Sequence, residues 1–502
     1  MSAPPRRPLV MIGLDAAELA LIEAARASLP FLDRLLARAD VGPLASTADV
    51  LPGSVWPTFA TGRLPGEHGI YHHLQWDPSA MRIRRVSREW LPCEPFWCEL
   101  ERRGLDVAAL DVPMTFPSRL ERGVEILNWG SHDQLGPFAA APRALGVALR
   151  RRFGARHPMG YEIPVTKTPR ELARIHDNLV AGARRKGELA AWLYAQRRWD
   201  FFLTVFGETH RGGHLLWPDD GGDAGLTPLL DVYRAVDAAL APLLAAAAAR
   251  DAVVLVFALH GMGPNTSQEH FVPPILDCVN AAFATRARPD ADRAAAAPPA
   301  RRGLVRLLRE RVPARLQNAI AQAMPVAVRD AVVSRQITGG HDWARTPGLA
   351  LLADLNGYLR FNVRGREAAG CLDPGGAALA AYREWLAIMA KRTCAVQMLL
   401  VAFSRRICCS RVCRESRQAG FPVTSLDTPT MRPGICRLNA SAVERNAAWG
   451  PPNPSGTPNR WLEPTAISAP NSPGGRKRVK ASRSVATTTR TPAVWACFTS
   501  AL

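Results

Sequence analysis

The sequence predicts an α/β protein with a mostly parallel central sheet. Short apolar runs alternate with helix-like stretches, and polar residues gather just past the ends of several runs. This alternation is typical of parallel strands joined by helices, and in such sheets the ligand crevice lies outside the carboxyl ends of the strands. The predicted strands of the core are residues 8–14, 107–111, 201–206 and 252–258.

The strong positive charge of the chain is confined to its last part. The net charge is +19 over 502 residues, which is typical of proteins that bind nucleic acid or membrane surfaces. However, residues 391–502 alone hold 17 Lys or Arg residues against four acidic residues. The core is therefore nearly balanced in charge, and it is not predicted to bind nucleic acid.

The cysteines and the apolar segments exclude some classes of protein. Six of the ten cysteines follow residue 391, and no paired C-x-x-C spacing with matching histidines indicates a zinc ribbon. The N-terminal apolar run soon meets Asp15 and Glu18, which is not typical of a signal peptide. The apolar stretch 238–259 is interrupted by Arg250 and Asp251, so no membrane span is predicted. We expect a cytoplasmic protein, and its oligomeric state does not follow from the sequence.

Composition divides the chain into three parts. Residues 1–285 and 335–385 are predicted to form the catalytic core, and the Ala-, Arg- and Pro-rich residues 286–334 a helical insertion or cap. Residues 386–502 are predicted to be a basic, irregular tail, because acidic residues nearly vanish there and periodic apolar patterning stops. Two hypotheses stay open for this tail: a disordered basic segment, or the product of out-of-frame translation.

One carboxylate after a predicted strand and one hydroxyl before a predicted helix suggest a functional site. Asp15 directly follows the first strand, from which a carboxylate reaches the crevice, although an Asp there is often a helix N-cap. Ser54 precedes a short predicted helix, where a hydroxyl can act as a nucleophile beside an anionic phosphate. A capping serine is the alternative reading of Ser54.

Histidines follow the two other central strands. Glu208, His210 and His214 come after the strand 201–206, and histidines four residues apart can bind one metal ion. His260 follows the strand 252–258. A single histidine at a strand end is usually structural, but here three histidines are brought together by the same arrangement of strand ends.

In order and spacing, these segments resemble the type I phosphodiesterase/nucleotide pyrophosphatase branch of the alkaline phosphatase superfamily. The resemblance runs from about residue 8 to residue 370, and it is most specific in G-L-D-A-A-E, W-P-T-F-A-T-G with P-G-E-H-G-I, and H-G-M-G-P. It implies a three-layer sandwich like that of alkaline phosphatase, and a small-molecule phosphoester as substrate. It further implies hydrolysis of phosphodiester or nucleotide pyrophosphate bonds through a Ser or Thr phosphoenzyme, with two divalent ions, typically zinc.

The resemblance also implies a set of ligands. One ion is expected at Asp15, Ser54 and His260. The other is expected at His214 together with His210 or Glu208. Ser54 is the expected nucleophile, and Thr58, which lies inside the predicted helix, is the second candidate.

The chain departs from the family pattern at several positions. Leu259 stands where the family usually has an Asp ligand, and His210 stands where an Asp is common. Pro52 takes the position of the expected Thr when the segments are aligned on Trp56. No histidine follows His341, although the family has a metal-binding histidine late in the chain. These departures support an alternative function: a catalytically impaired fold-mate that binds a ligand or partner without turnover, or a truncated product.

Overall fold

The computed structural model describes residues 6–154, 156–160, 168–218, 226–265, 267, 271–287, 312, 316, 320, 323–351, 357–387 and 494–498. Their strands are β1 (Leu9–Leu14), β2 (Asp40–Pro43), β3 (Leu74–Asp77), β4 (Arg82–Arg85), β5 (Val107–Leu110), β6 (Val124–Leu127), β7 (Ala139–Ala141), β8 (Phe201–Phe206), β9 (Val253–Phe257), β10 (Gly348–Leu351), β11 (Tyr358–Phe361) and β12 (Val494–Phe498).

The helices connect these strands and cover the sheet. They are α1 (Leu19–Ala24), α2 (Pro30–Arg38), α3 (Val55–Thr61), α4 (Pro65–His68), α5 (Phe96–Arg102), α6 (Arg143–Phe153), α7 (Pro169–Ala195), α8 (Glu208–Leu216), α9 (Thr227–Ala249), α10 (Val272–Ala287), α11 (Val326–Thr338) and α12 (377–387). A short 3₁₀ helix, Pro52–Ser54, precedes α3.

The central sheet has eight strands in the order β2-β12-β9-β1-β8-β5-β6-β7. Its strand pairs are parallel except for the edge strand β7, which runs antiparallel to β6. At the carboxyl end of β1, Leu14 lies opposite Phe206 of β8, and Gly13 lies opposite Phe257 of β9. The segments that follow β1, β8 and β9 therefore emerge side by side at one edge of the sheet.

Helices pack on both faces of the sheet. Val10, Ile12 and Leu14 of β1 belong to a core cluster with residues of α2, α6, α7 and α9. The alternate residues Leu9 and Met11 join a second cluster with residues of α3 and α5 on the other face. Since successive side chains of a strand point to opposite faces, the molecule has three layers, and the predicted α/β fold with a mostly parallel sheet is confirmed.

A smaller apolar cluster lies outside the sheet. Residues of α10, β11 and α12 meet there, with Tyr382 fully buried at its centre. β10 and β11 pair antiparallel, and residues 352–356 between them lie outside the described residues. The β3–β4 hairpin packs against α11, and Arg85 holds Asp330 through two N–O contacts of 2.7 and 2.8 Å.

Most of the predicted insertion and tail lies outside the described residues. Within 286–334 the structure describes residues 286–287 at the end of α10, residues 312, 316 and 320, and residues 323–334, which include the first part of α11. The predicted domain boundaries therefore stay a prediction. Within 386–502 it describes residues 386 and 387, at the end of α12, and Val494–Phe498, which form β12 between β2 and β9.

Among the described helices, α9 alone is long and apolar enough to cross a membrane. Its buried side chains, including Leu229, Val232 and Leu240, belong to the core cluster on the face of the sheet. In this fold α9 is a core helix.

Candidate metal centre

Asp15 lies at the carboxyl end of β1 and is completely buried. Its backbone N–H donates to the carbonyl of Phe206 at 2.9 Å, and its carbonyl accepts from the hydroxyl of Thr209 at 2.6 Å. The indole N–H of Trp56 donates to Oδ1 of Asp15 at 2.9 Å. Asp15 is not the helix cap considered above, because Glu18 caps α1 by accepting from the N–H of Ala20.

Two histidines face the Asp15 carboxylate. Nδ1 of His132 lies 2.7 Å from Oδ2, and Nδ1 of His210 lies 3.5 Å from Oδ1. The two imidazoles are stacked, with ring centroids 3.6 Å apart and an angle of 21° between planes. One ligand atom from each of the three residues lies within 4.8 Å of the others, so the group can hold a single metal ion.

The buried atoms of this cluster fit a divalent cation. Within the described residues, Nδ1 of His210 is buried and makes no hydrogen bond, and Oδ2 of Asp15 is buried and faces Nδ1 of His132 at 2.7 Å. Burial would raise the pKa of Asp15, but the charges of His132 and His210 outweigh burial and hold that pKa well below its ordinary value. Asp15 is therefore ionised, and one carboxylate with two imidazoles is a donor set typical of zinc and related ions.

His214 and His260 lie beside this cluster. Nε2 of His214 is 2.9 Å from Nε2 of His210, and His214 is exposed. The ring centroid of His260 is 5.7 Å from that of His210. Nδ1 of His260 donates to the carbonyl of Gly261 at 2.9 Å, which leaves the lone pair on Nε2. Burial, and next the charge of His210, lower the pKa of His260 and favour its neutral form.

Glu208, a predicted ligand, is directed elsewhere. It is fully buried at the start of α8, and its Oε1 lies 3.0 Å from Nε2 of His157. Nδ1 of His157 accepts from the N–H of Met159 at 3.1 Å, so Nε2 carries the proton that bonds Glu208. The structure therefore pairs Glu208 with His157 and not with the Asp15 cluster.

Ser54, the predicted nucleophile, is buried just before α3. Its hydroxyl donates to the carbonyl of Leu51 at 2.6 Å and lies 2.9 Å from the hydroxyl of Thr47. It makes no capping hydrogen bond to α3, and among the described contacts none joins it to Asp15. Trp56, two residues further on, provides the connection between this segment and Asp15.

Thr58, the second candidate for the nucleophile, lies in α3, and its side chain contacts His68 at the end of α4. Its Oγ1 lies 3.0 Å from Nε2 of His68, whose Nδ1 accepts from the N–H of Ile70 at 3.1 Å. In the neutral ring Nε2 must then carry the proton, so Thr58 is the acceptor. His68 in this tautomer cannot take a proton from Thr58.

Leu259 does not contribute to the metal centre. Its side chain is buried in the apolar cluster that also contains Trp56 and Phe257. The resemblance implies an Asp ligand at this position, and the structure has an apolar packing residue there.

His132 is the member of the cluster that the sequence analysis missed. It follows β6, which contains the buried Glu125 in the middle of a short apolar run. Because Glu125 interrupts the apolar run, β6 is difficult to recognise from the sequence. His132 therefore does not stand out as a residue that follows a strand. A search for histidines within a few residues of every short apolar run would have found it.

The fold and the site together define an α/β protein with a cluster of metal-ligating side chains at the carboxyl edge of a parallel sheet. A family model described as "Type I phosphodiesterase / nucleotide pyrophosphatase" matches residues 9–369 and identifies the class of protein. The chain belongs to this family, so the resemblance found in the sequence is confirmed. The family is one of phosphoric ester hydrolases.

Other comparisons are more distant. No curated protein matches the chain. Phosphonoacetate hydrolase from Sinorhizobium meliloti 1021, in complex with phosphonoformate, shows 18% identity and a TM-score of 0.35 over 53% of this chain and 59% of that chain. A mutant of the alkaline phosphatase PafA shows 12% identity and a TM-score of 0.35 over 52% of this chain and 64% of that chain. The chain thus spans less than two thirds of the length of these solved structures.

Proposed function

We propose that the chain is a metal-dependent hydrolase of phosphodiester or nucleotide pyrophosphate bonds. The observation that supports this most strongly is the buried cluster of Asp15, His132 and His210, in a chain of a phosphodiesterase family. Packing does not explain why an ionised carboxylate and two imidazoles lie together at a sheet edge. A bound cation explains it, because all three groups can serve as its ligands.

The residues around the cluster keep its geometry. Trp56 and Thr209 fix the Asp15 side chain and backbone by hydrogen bonds, and the tautomer of His260 keeps a lone pair available. A divalent ion bound here supplies positive charge to phosphoryl oxygens and lowers the pKa of a hydroxyl that it contacts. Asp15, His132 and His210 would hold one such ion.

A second ion is part of the proposal. His214 and His260 both lie near His210, and their arrangement supports a nitrogen-rich second position. Zinc is the ion proposed for both, because imidazole ligands suit zinc better than magnesium or calcium.

The proposed nucleophile is Ser54, with Thr58 as the alternative. Both flank Trp56, whose indole is bonded to Asp15, and this supports a place for the segment beside the ions. For Ser54 to attack, its hydroxyl must leave the carbonyl of Leu51. For Thr58, the hydrogen bond from His68 leaves the hydroxyl proton to be lost to another group.

The test is hydrolysis of bis(p-nitrophenyl) phosphate by the full chain. We expect activity that a chelator abolishes and Zn²⁺ restores, about two ions bound per chain, and a loss of at least ~10²-fold in Ser54→Ala. Thr58→Val is the matched comparison, since it removes the other hydroxyl from the same segment.

The outcomes separate the proposal from its alternative. If Ser54→Ala is as active as the wild type while Thr58→Val is inactive, Thr58 is the nucleophile. A wild-type chain that binds zinc but hydrolyses no phosphoester supports the impaired fold-mate, which the packing of Leu259 favours. A chain that binds no zinc even after refolding with the metal contradicts the metal-dependent function altogether.

A further inference from the structure

His132 lies between two carboxylates. Its Nδ1 is 2.7 Å from Oδ2 of Asp15, and its Nε2 is 3.6 Å from Oδ2 of Asp133. The second oxygen of Asp133, Oδ1, is 3.0 Å from Nδ1 of His73. Asp15, His132, Asp133 and His73 therefore form a continuous row of alternating carboxylates and imidazoles that leads outward from the buried Asp15.

Such a row has a specific use beside a metal ion. A histidine that binds an ion through one ring nitrogen usually presents the N–H of the other nitrogen to a carboxylate, which fixes the tautomer and the ring orientation. In this structure Asp133 is the carboxylate on the Nε2 side of His132. A proton on Nε2 leaves the lone pair of Nδ1 on the side of Asp15.

The backbone on both sides of His132 is also held. Asp111 accepts from the N–H groups of Trp129 and Gly130 at 2.8 and 2.6 Å, and Lys186 pairs with the same carboxylate. After Asp133, the carbonyl of Gln134 accepts from Arg85 at 2.6 Å. The loop is therefore anchored on both sides of His132.

We propose that His132 is a ligand of the ion at Asp15 and that Asp133 is a positioning residue for it. The charge of Asp133 attracts the N–H of Nε2 of His132 across 3.6 Å, and His73 contacts Asp133 from the other side. This inference deepens the proposed metal-dependent function and rests on it. His132 thereby supplies a ligand to a site that lacks a carboxylate at Leu259.

A different explanation of the row needs no metal. A protonated His132 between Asp15 and Asp133 would simply neutralise two carboxylates, as ion pairs in folded proteins do. The carboxylate of Asp133 attracts a nearby cation under either explanation, so its charge alone does not separate them. Only a ligand role makes His132→Ala weaken metal binding, and only a positioning role makes the effect of Asp133→Asn largely disappear when it is combined with His132→Ala.

The experiment is a titration of the full-length apoprotein with Zn²⁺ in competition with a chromogenic chelator. The variants are His132→Ala, Asp133→Asn, the combination of these two, and Asp177→Asn. The last is a matched control, because Asp177 also neighbours a histidine in sequence and lies 3.0 Å from it, but it is exposed on α7. Far-ultraviolet circular dichroism of each apoprotein verifies folding before the titration.

We expect the Kd for Zn²⁺ to rise about 10- to 100-fold in Asp133→Asn, and at least as much in His132→Ala. Asp177→Asn is expected to bind like the wild type. If Asp133→Asn does not fold, His73→Gln tests the same row from its outer end and should weaken Zn²⁺ binding in the same direction.

Two results would overturn the inference in distinguishable ways. Wild-type affinity in both His132→Ala and Asp133→Asn shows that His132 only neutralises charge, and the proposed hydrolase function then still stands. A wild-type protein that binds no Zn²⁺ overturns the inference and the proposed function together.

Discussion

At the scale of single residues, buried ionisable side chains serve two purposes in this molecule. Glu208 accepts a hydrogen bond from the neutral ring of His157, and Asp111 pairs with Lys186 and fixes a loop through two backbone N–H groups. The Asp15 cluster differs, since it brings one carboxylate and two imidazoles within 4.8 Å of one another at the carboxyl edge of the sheet. This convergence of three possible metal ligands distinguishes the candidate site from the structural pairs.

His68 makes stability depend on pH. Burial, against the opposing charge of Glu67, lowers the pKa of His68 from 6.5 to about 4. Between these two values the unfolded chain binds a proton that the folded chain does not, so the free energy of unfolding falls as pH falls from 6.5 towards 4. We expect His68 to account for a loss of about 2 kcal/mol between pH 6.5 and pH 5. Denaturant unfolding in the presence of a chelator measures it.

The comparison that isolates this effect is His68→Asn, which keeps an acceptor for the N–H of Ile70 but does not titrate. Its unfolding free energy should change less over the same pH range than that of the wild type. Equal pH dependence in the two proteins would show that other groups, such as His157, cause the effect.

The sequence predicts part of the site for a clear physical reason. Asp15, His210 and His260 lie within four residues of the ends of apolar strands, and the carboxyl ends of neighbouring parallel strands meet at one edge. His132 is not predicted from the sequence, because the strand before it is short and contains an acidic residue. The partners of Ser54 and Glu208 cannot be read from spacing, because side-chain direction depends on long-range packing.

At the scale of secondary-structure elements, α7 and α9 approach each other closely at a glycine. A Cβ atom at Gly187 would lie 2.5 Å from the carbonyl oxygen of Ala239 and 2.7 Å from its Cβ. Backbone atoms cannot move aside as a flexible side chain can. The absence of a side chain at Gly187 therefore allows these two long helices to pack on the sheet.

We expect Gly187→Ala to destabilise the protein by ~1–3 kcal/mol, because the two helices must separate. Gly146→Ala in α6 is the matched control, since its Cβ would meet Ala140 at 3.4 Å, an ordinary contact. That variant should be neutral or up to ~1 kcal/mol more stable through helix propensity. Thermal unfolding of the two variants gives the comparison, and an equally stable Gly187→Ala would contradict the close crossing.

Elements with long apolar runs are predictable and short ones are not. β1, β8 and β9 agree with their predicted positions, since each is a buried run that is apolar almost throughout. β2 carries Gly42 and Pro43, residues that are rare in strands, so its sequence does not predict a strand. Its position in the sheet follows from its pairing with β12.

At the scale of the whole molecule, β12 connects two distant parts of the chain. It pairs parallel with β9 on one side and with β2 on the other. Without it, β2 would have no partner in the sheet, and β9 would expose an edge of unpaired backbone groups.

We therefore expect deletion of residues 494–502 to lower the Tm by several degrees and to cause concentration-dependent aggregation. Deletion of residues 499–502 alone is the control and should leave both properties unchanged. Calorimetry and light scattering provide the measurements. Indistinguishable behaviour of the two truncated proteins would favour the hypothesis that the tail is out-of-frame and adds nothing to the fold.

The burial of Leu259 among aromatic rings limits which substitutions the site accepts. Leu259→Asp would place a carboxylate beside Trp56 and Phe257, at a cost of several kcal/mol unless it reached an ion. Leu259→Asp is therefore expected to be tolerated only together with changes that loosen the packing around this position. The accessible route to a stronger site runs through the histidines, whose neighbours already tolerate polar atoms.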